Sequence, residues 1–256
     1  MPRFAANLTM MFTELPFLDR FAAAAAAGFA AVEFLFPYDF EPDAIADKLQ
    51  QNGLTQALFN LPPGDWSAGE RGLAALPGRE AEFRASVATA LRYAQIISVD
   101  QLHVMSGLAD RADATAVETY RGNLAHLCDL AWRADLTILI EPINSRDMPG
   151  YFLNDFNFAA DLIADLTRPN LKLQFDIYHR QIIHGDVLTS LRRLMPIIGH
   201  IQIAAVPHRH EPGTGELDDA RILRELDLLG YTGFVGCEYR PAGDTVAGLG
   251  WRAAFA

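Results

Sequence analysis

Short apolar runs alternate with longer amphipathic stretches along the whole chain. Eight runs are rich in Val, Ile, Leu and Phe, and they centre near Phe4, Val32, Ala57, Leu102, Leu139, Leu173, Ile201 and Val235. Stretches of helical length lie between them, and this alternation is typical of repeated β-α units that form a parallel sheet. The pattern therefore predicts eight parallel strands.

The predicted helices have recognisable ends. Five stretches are clearest: about Glu14 to Gly28, Glu41-Pro42 to Gly53, Arg79 to Ile97, Ala112 to Ala134, and about Asp218 to Gly230. Proline in the first turn of a helix and glycine just past its last turn are expected at such ends.

Eight β-α units in 256 residues match the size of a TIM barrel. An open doubly wound sheet would more often carry a glycine-rich phosphate loop after its first strand, and no such motif occurs at that position. We therefore predict an α/β fold, a (β/α)8 TIM barrel, with one domain over residues 1–256 and no nucleotide cofactor.

One long segment rich in glycine and proline follows the third predicted strand, from Asn60 to Glu80. Loops that follow strands lie on the catalytic face of a TIM barrel. The sequence leaves two interpretations open, a lid over a site or a packed surface loop.

Composition limits the range of partners. The chain has 21 basic and 32 acidic residues, a net charge of −11, which disfavours nucleic acid and anionic membrane surfaces and leaves a small molecule as the expected partner. It contains neither an apolar run of membrane-spanning length nor the features of a signal peptide, so we predict a cytoplasmic protein. Cys128 and Cys237 are too few for a disulfide framework and are expected to be buried small hydrophobes. A homo-oligomer remains open.

Four polar residues occur at consecutive strand ends. Glu141 ends the fifth predicted strand, Asp176 ends the sixth, Gln202 lies in the seventh and Glu238 ends the eighth. Strand ends of a TIM barrel meet at one mouth, where three carboxylates would repel one another and raise at least one pKa unless a cation joined them. An all-oxygen ligand set favours Mg²⁺ or Mn²⁺ over zinc or copper, so the sequence predicts a divalent-metal site.

Each of these residues also has an ordinary structural interpretation. Glu141 or Asp176 alone could cap a helix or pair with an arginine, and only their recurrence at successive strand ends favours a site. Glu33, in the second strand, is expected to be structural, and His103 and His200 receive no role.

Two further residues are candidates for substrate binding. His179 follows Asp176 by three residues, although a lone histidine is more often a hydrogen-bonded structural residue. Arg209 follows the seventh strand and could hold a substrate carboxylate through two parallel hydrogen bonds, or form a surface ion pair with Glu211 or Glu216.

Four stretches of the sequence resemble a known family. They are FNLPPGDWSAGERGLAALPGRE, ILIEPIN, LQFDIYH and HIQIAAVPHRHEPGTGEL, and together they resemble the hydroxypyruvate isomerase family. That family is a branch of the xylose-isomerase-like TIM barrels, which also contain 2-oxo-tetronate isomerases and ketose 3-epimerases. The resemblance covers nearly the whole chain, and its motifs are more specific for the family than for the substrate.

The resemblance implies roles for individual residues. It makes Glu141 and Glu238 the catalytic acid/base pair as well as metal ligands, and it places His179 and Arg209 at the substrate. Epimerase relatives usually have histidine where this chain has Gln202, and that difference points to the isomerase branch.

The implied reaction is the isomerisation of a small 2-oxo-3-hydroxy acid through an enediolate, first of all hydroxypyruvate to tartronate semialdehyde. A 2-oxo-tetronate isomerase, a ketose 3-epimerase and a non-catalytic sugar-acid binding protein are the alternatives. A barrel that cleaves DNA at abasic sites would need a histidine-rich multi-zinc site and a basic face, and the net charge of −11 disfavours it.

Overall fold

The computed structural model describes residues 2–255, and its strands form a parallel barrel. The strands are β1 (Arg3–Asn7), β2 (Ala31–Glu33), β3 (Thr55–Gln56), β4 (Phe59–Asn60), β5 (Gln101–His103), β6 (Thr137–Ile140), β7 (Leu171–Asp176), β8 (Ile198–Ile203) and β9 (Phe234–Cys237). Their order is β3-β2-β1-β9-β8-β7-β6-β5-β4, and every pairing is parallel. The predicted (β/α)8 barrel is confirmed, whereas the domain limits of 1–256 stay a prediction.

The third predicted strand forms two short strands instead of one. β3 pairs with β2, whereas β4 pairs with β5. Between them the Ala57 amide donates to the Val32 carbonyl at 2.8 Å, and the Gln56 side chain donates to the Leu58 carbonyl at 2.6 Å. The chain thus changes its pairing partner in mid-strand, which accounts for nine strands in place of the predicted eight.

Helices cover the outside of the barrel. They are α1 (Arg20–Ala26), α2 (Pro42–Asn52), α3 (Glu80–Ile97), α4 (Ala114–Trp132), α5 (Phe156–Leu166), α6 (Ile177–Ile183), α7 (Val187–Leu194) and α8 (Asp219–Leu228). The five predicted helices are confirmed, with α2 beginning at Pro42 and ending at Gly53, whose φ of 62° is the left-handed conformation expected of a helix-ending glycine. The first is shorter than predicted, because residues Phe17–Asp19 form a 3-10 turn before it.

The core lies between the strands and the helices. Residues such as Leu102, Ile138 and Ile201 are fully buried there, and each large apolar side chain removed from water stabilises the fold by about 1.5–3 kcal/mol. Cys128 and Cys237 are both buried and free, as predicted. Within residues 2–255, none of the helices combines the length and the apolar character that a membrane span requires.

The segment from Asn60 to Glu80 packs against the barrel mouth. Gly72 forms an antiparallel bridge with Ser106, and Leu73 to Ala75 are buried. Gly72 has a φ of 112°, and a Cβ at this position would lie 2.3 Å from the Met105 carbonyl oxygen, so only glycine allows this close approach. The second half of the segment is therefore a packed loop, while its tip around Trp66 is exposed.

Candidate active site

Three carboxylates from three strands converge at the mouth of the barrel. Glu141 directly follows β6, Asp176 is the last residue of β7, and Glu238 directly follows β9. Ligand atoms of these residues and of His179 all lie within 4.8 Å of one another, and all four residues are buried. The structure thus brings together three of the four residues that the sequence suggested as metal ligands, and it adds His179 to the cluster.

Arg209 lies inside this cluster. Its Nη2 donates to Glu238 Oε2 in the closest contact of the site and to Asp176 Oδ2 at 3.4 Å, and its Nη1 lies 3.7 Å from Asp147 Oδ2. The guanidinium also lies over the Tyr178 ring, with Cζ 4.9 Å from the centroid. Arg209 therefore neutralises the carboxylates of the protein itself, a different arrangement from the suggested surface pair with Glu211 or Glu216.

Burial and mutual repulsion raise the pKa values of the carboxyl groups. Burial raises the pKa of Glu141 well above its usual value, and the charges of Glu238 and Asp176 raise it further. Burial also raises the pKa of Glu238 to about 8 and that of Asp176 to about 6, against the opposing effect of Arg209. Three acids with one guanidinium would carry two uncompensated charges, so the cluster holds at least one proton near neutral pH. Glu141 is the best site for it, because its Oε1 has no hydrogen-bond partner within the described residues.

The ring of His179 has a defined orientation and tautomer. Its Nδ1 accepts a hydrogen bond from the side-chain Nδ2 of Asn144 at 2.7 Å, and the Asn144 amide is fixed because its Oδ1 accepts from the Asp147 backbone. Burial lowers the pKa of His179 well below its usual value, so the ring is neutral and its proton is on Nε2. That Nε2 lies 3.5 Å from Asp176 Oδ2 and 4.0 Å from Glu141 Oε1. His179 thus presents a hydrogen-bond donor to the site.

Gln202 lies beneath the carboxylates and does not line the pocket. Its Oε1 accepts from Gln174 at 2.7 Å and its Nε2 donates to Glu33 at 2.8 Å. Asn7 donates to Glu33 at 2.9 Å and to Glu238 Oε1 at 3.3 Å. A metal-ligand role for Gln202 would have to use the second lone pair of Oε1, and it stays a prediction.

Glu33 is the centre of this lower polar layer. It is fully buried, and besides the bonds from Asn7 and Gln202 its Oε2 lies 2.7 Å from His200 Nε2. A Cβ on Gly236 would lie 2.2 Å from Oε2, so glycine at this position of β9 makes room for the carboxylate. These bonds fit the structural role expected of Glu33, and through Asn7 they support Glu238.

His103 is a site residue that sequence reasoning missed. It ends β5, it is buried, and its Nε2 has no hydrogen-bond partner among the residues described, although Glu141 Oε2 lies 3.7 Å away. Burial lowers the pKa of His103 to about 3, so the ring is neutral. A polar residue in the apolar run DQLHVM is the same signal that marked Glu141.

A pocket with a volume of about 850 Å³ opens above the carboxylates. Its lining includes Glu141, His179, Arg209, Glu238 and His103, and also Trp66, Arg71, Met105, Met148, Tyr178 and Arg240. Asp176 is not a lining residue, but its Oδ2 lies 3.5 Å from Nε2 of the lining residue His179. The pocket therefore brings a small polar molecule against both glutamates.

The donor set fits a divalent cation. Oxygen atoms of the three carboxylates lie within 4.8 Å of one another, and the unpartnered Glu141 Oε1 is a buried acceptor that a cation would satisfy. The cluster is a candidate metal centre, and the oxygen-rich set is suited to a hard ion.

Comparisons with known proteins place the chain among xylose isomerase-like TIM barrels. The family model for the xylose isomerase-like TIM barrel matches residues 21–255. The chain is 58% identical to a 2-oxo-tetronate isomerase from Cupriavidus necator, over 98% of this chain and 97% of that protein. It is 44% identical to a hydroxypyruvate isomerase from Escherichia coli, over 98% of both chains.

A crystal structure from Brucella melitensis has the same fold. It is described as an AP endonuclease of family 2, it superposes with a TM-score of 0.97, and it is 50% identical over 100% of this chain and 99% of that one.

Proposed function

Because the chain belongs to the xylose isomerase-like TIM barrel family and is an isomerase within it, we propose that it isomerises a short 2-oxo-3-hydroxy acid. The carrying observation is the pair of buried glutamates, Glu141 and Glu238, which line one pocket and come from strands β6 and β9 of the barrel. Raised pKa values make both groups suitable for holding and moving a proton near neutral pH.

We favour a four-carbon 2-oxo-tetronate over three-carbon hydroxypyruvate, the first expectation from the sequence. The pocket of about 850 Å³ easily accommodates the additional hydroxymethyl group. Identity is also higher to the relative named 2-oxo-tetronate isomerase, at 58%, than to the one named hydroxypyruvate isomerase, at 44%. Hydroxypyruvate is the second candidate, because the same chemistry applies to both acids.

The reaction moves one proton between neighbouring carbons. One glutamate takes the proton from C3, which carries the hydroxyl group, and an enediolate forms across C2 and C3. A proton then returns to C2, and the hydroxyl proton passes from O3 to O2, so the carbonyl group moves from C2 to C3. Glu141 and Glu238 are the proposed proton carriers, and each such step contributes about 10²- to 10⁴-fold to the rate.

The remaining polar residues hold the intermediate and the carriers. The Nε2 proton of His179 is directed at the floor of the pocket, where it can donate to an enediolate oxygen. Arg209 stabilises the ionised form of Glu238 and borders the substrate, and Asn7 orients the same carboxylate from below. His179, Glu238 and Asn7 are buried, and the lower dielectric of the interior strengthens their interactions.

Mg²⁺ or Mn²⁺ is the proposed metal. Glu141, Asp176 and Glu238 would hold it, with Gln202 as the fourth candidate. When bound, such an ion supplies positive charge that stabilises the developing oxyanions.

The proposed partner is a small molecule and not DNA. The net charge of −11 opposes a polyanion, and the candidate metal cluster contains one histidine, His179. A neutral ketose, as an epimerase would require, and DNA with an abasic site are therefore included in the test as competing substrates.

The test is proton NMR in D₂O with purified, chelator-treated protein, before and after Mg²⁺ addition. We expect loss of the C3 proton signal and growth of the 3-oxo isomer from 2-oxo-tetronate, with hydroxypyruvate converted more slowly. Deuterium should enter the product at C2 as solvent exchanges with the carrier.

The variant in which Glu141 and Glu238 are both replaced by glutamine is the control for spontaneous enolisation, and it should be inactive. Turnover only of free ketoses, or cleavage only of abasic DNA, would reject the proposal. Binding of the acids without turnover by the unmodified protein would identify a binding protein.

A further inference from the structure

The positive charge of Arg209 is already paired with carboxylates of the protein. Its guanidinium contacts three carboxylates of the protein, namely Glu238, Asp176 and Asp147. A substrate acid adds one more negative charge above that floor. Arg209 therefore has no unpaired charge for this group, and a further cation on the pocket would stabilise it, because an unpaired carboxylate beside buried acids is costly.

Arg71 is a cation on the same pocket without an acidic partner. It lines the pocket, and among residues 2–255 no carboxylate oxygen lies within ion-pair distance of its nitrogens. Its Nη1 donates to the backbone carbonyls of Trp66 at 3.1 Å and Glu70 at 2.7 Å. The edge formed by Nε and Nη2 makes no hydrogen bond within the described structure, so it can donate two parallel hydrogen bonds to a carboxylate.

The side chain of Arg71 is held in place. Its Cζ lies 3.9 Å from the centroid of the Trp66 ring, and that ring packs against Phe36 with the centroids 5.1 Å apart. A guanidinium stacked on an indole is positioned without losing its charge. The fork is thus oriented before any ligand arrives, which lowers the entropy lost on binding.

The backbone of the same loop is anchored on both sides of Arg71. Gly72 donates to the Pro63 carbonyl at 2.8 Å and bridges to Ser106. Glu70 accepts from the Asp65 amide at 2.6 Å and forms an ion pair with Arg79 at 2.6 Å. Since Glu70 is occupied by Arg79, it does not compete for Arg71.

We propose that Arg71 binds the carboxylate of the substrate and sets the preference for acids over neutral sugars. The inference rests on the proposed isomerase function and deepens it. It assigns Arg209 to the carboxylates of the protein and gives Arg71 the substrate carboxylate, which the sequence had suggested for Arg209.

Arg240 is the competing cation, since it also lines the pocket rim. Its side chain is exposed, and no hydrogen bond of its guanidinium is found within the described residues. An unrestrained surface arginine contributes little to binding, because it must be ordered first. Arg71 is therefore the favoured binder of the substrate carboxylate, and the experiment includes a variant of Arg240 to test the alternative.

The experiment compares Arg71→Gln, Arg71→Lys and Arg240→Gln in steady-state kinetics with 2-oxo-tetronate and hydroxypyruvate. For Arg71→Gln we expect a 10- to 100-fold rise in KM for the acid with a smaller change in kcat, as expected for the loss of a charge-assisted pair. Lysine should restore part of the loss. Weak turnover of dihydroxyacetone and erythrulose, the neutral analogues in which CH₂OH replaces the carboxylate, should be unchanged.

Binding of D-glycerate, a non-isomerisable acid, gives a readout that does not depend on turnover. Its dissociation constant should rise 10- to 100-fold in Arg71→Gln. Arg92→Gln is the matched control, because Arg92 also lies over an aromatic ring, that of Tyr93, yet it does not line the pocket. It should leave both readouts unchanged.

The possible failures are distinguishable. If the unmodified protein converts the acids but Arg71→Gln keeps the same KM and the same affinity for D-glycerate, the role of Arg71 is rejected while the isomerase stands. The same conclusion follows if Arg240→Gln alone raises KM. If the unmodified protein converts no acid, the proposed function fails, and intact D-glycerate binding that depends on Arg71 would still support the carboxylate site.

Discussion

Single residues of this site can be recognised in the sequence because burying an ionisable side chain costs free energy. Glu141 is 4% exposed, and its Oε1 has no hydrogen-bond partner within the described chain. An unpaired buried carboxylate costs several kcal/mol if ionised, so the fold accommodates it by raising its pKa. Burial has the opposite effect on the pKa values of His103 and His179: it lowers them, so both rings are neutral.

The neutral state of His103 predicts a pH dependence of stability. The pKa is about 3 in the folded protein and about 6.5 in the unfolded chain, so between these values the unfolded chain binds the additional proton. Stability contributed by His103 is complete above about pH 6.5 and is lost as pH falls, by up to about 1.4 kcal/mol per pH unit. The unfolding midpoint of the natural protein should therefore fall between pH 6.5 and 5 by roughly 3–7 °C more than that of His103→Gln.

Differential scanning fluorimetry of both proteins in chelator measures this difference. The comparison cancels the contribution of the site's carboxyl groups, which are present in both proteins. Their raised pKa values increase stability as pH falls, opposite to the effect of His103. A gap between the two midpoints that stays constant from pH 6.5 to 5 would contradict the neutral assignment of His103.

Residue identity could be predicted from the sequence, whereas side-chain pairing could not. Glu141, Asp176 and Glu238 interrupt or end apolar runs at intervals of one and two β-α units, and the barrel topology then requires them to meet. The engagement of Arg209 with Glu238, and of Gln202 with Glu33, depends on the direction of each side chain, which spacing does not determine.

At the scale of elements, the site depends on how closely strands approach the polar layer beneath it. Glu33 of β2 lies against Gly236 of β9, although these strands are not adjacent in the sheet. The strand pattern predicted where β9 lies but gave no reason for a glycine within it. Glycine is required at position 236 because the Glu33 carboxylate, from a strand about 200 positions earlier, occupies the space that a side chain would need.

Replacing Gly236 with alanine should disturb both stability and activity. The new Cβ would lie 2.2 Å from Glu33 Oε2, and the carboxylate is held by Asn7, His200 and Gln202 and cannot move freely. Overpacking of this kind costs about 1–3 kcal/mol. We expect the midpoint of thermal unfolding to fall and kcat to decrease, because Asn7 also contacts Glu238.

Gly122→Ala is the matched control. Gly122 lies in the interior of α4, and nothing lies within 4 Å of a Cβ at that position. Alanine there should raise stability by roughly 0.5–1 kcal/mol, because glycine is unfavourable in a helix interior. If Gly236→Ala were equally stabilising, the close packing of Glu33 would not matter.

At the scale of the whole molecule, the carboxylate cluster joins distant parts of the chain. β6, β7 and β9 each contribute one acid, and the polar layer below adds residues from β1, β2 and β8. A cation bound at this point would stabilise the folded barrel as a unit. The cytoplasmic location is likewise a property of the whole protein and stays a prediction.

Metal addition should therefore raise thermal stability. An ion that binds only the folded protein stabilises it by about 2.7 kcal/mol at 100 times its dissociation constant. For a chain of this size the expected rise in midpoint is roughly 5–10 °C. We expect it for chelator-treated protein after Mg²⁺ or Mn²⁺ addition, measured by calorimetry.

The variant with glutamine at both positions 141 and 238 should show little or none of this rise. Calcium, which prefers more ligands at longer distances, tests the selectivity of the cluster. An equal rise in the glutamine variant would locate the stabilising ion elsewhere.

The first and last strands of the barrel pair with each other, so the site can assemble only late in the synthesis of the chain. β1 pairs with β9, and Asn7 meets Glu238 across 231 positions of the chain. Chains are synthesised from the N-terminus at about 5–20 residues per second, so Asn7 waits many seconds for its partner. A nascent chain that has only just exposed β8 holds Glu141 and Asp176 but lacks the second glutamate. On the proposed mechanism, the ability to enolise a substrate would therefore arrive only once the segment that contains Glu238 has been synthesised.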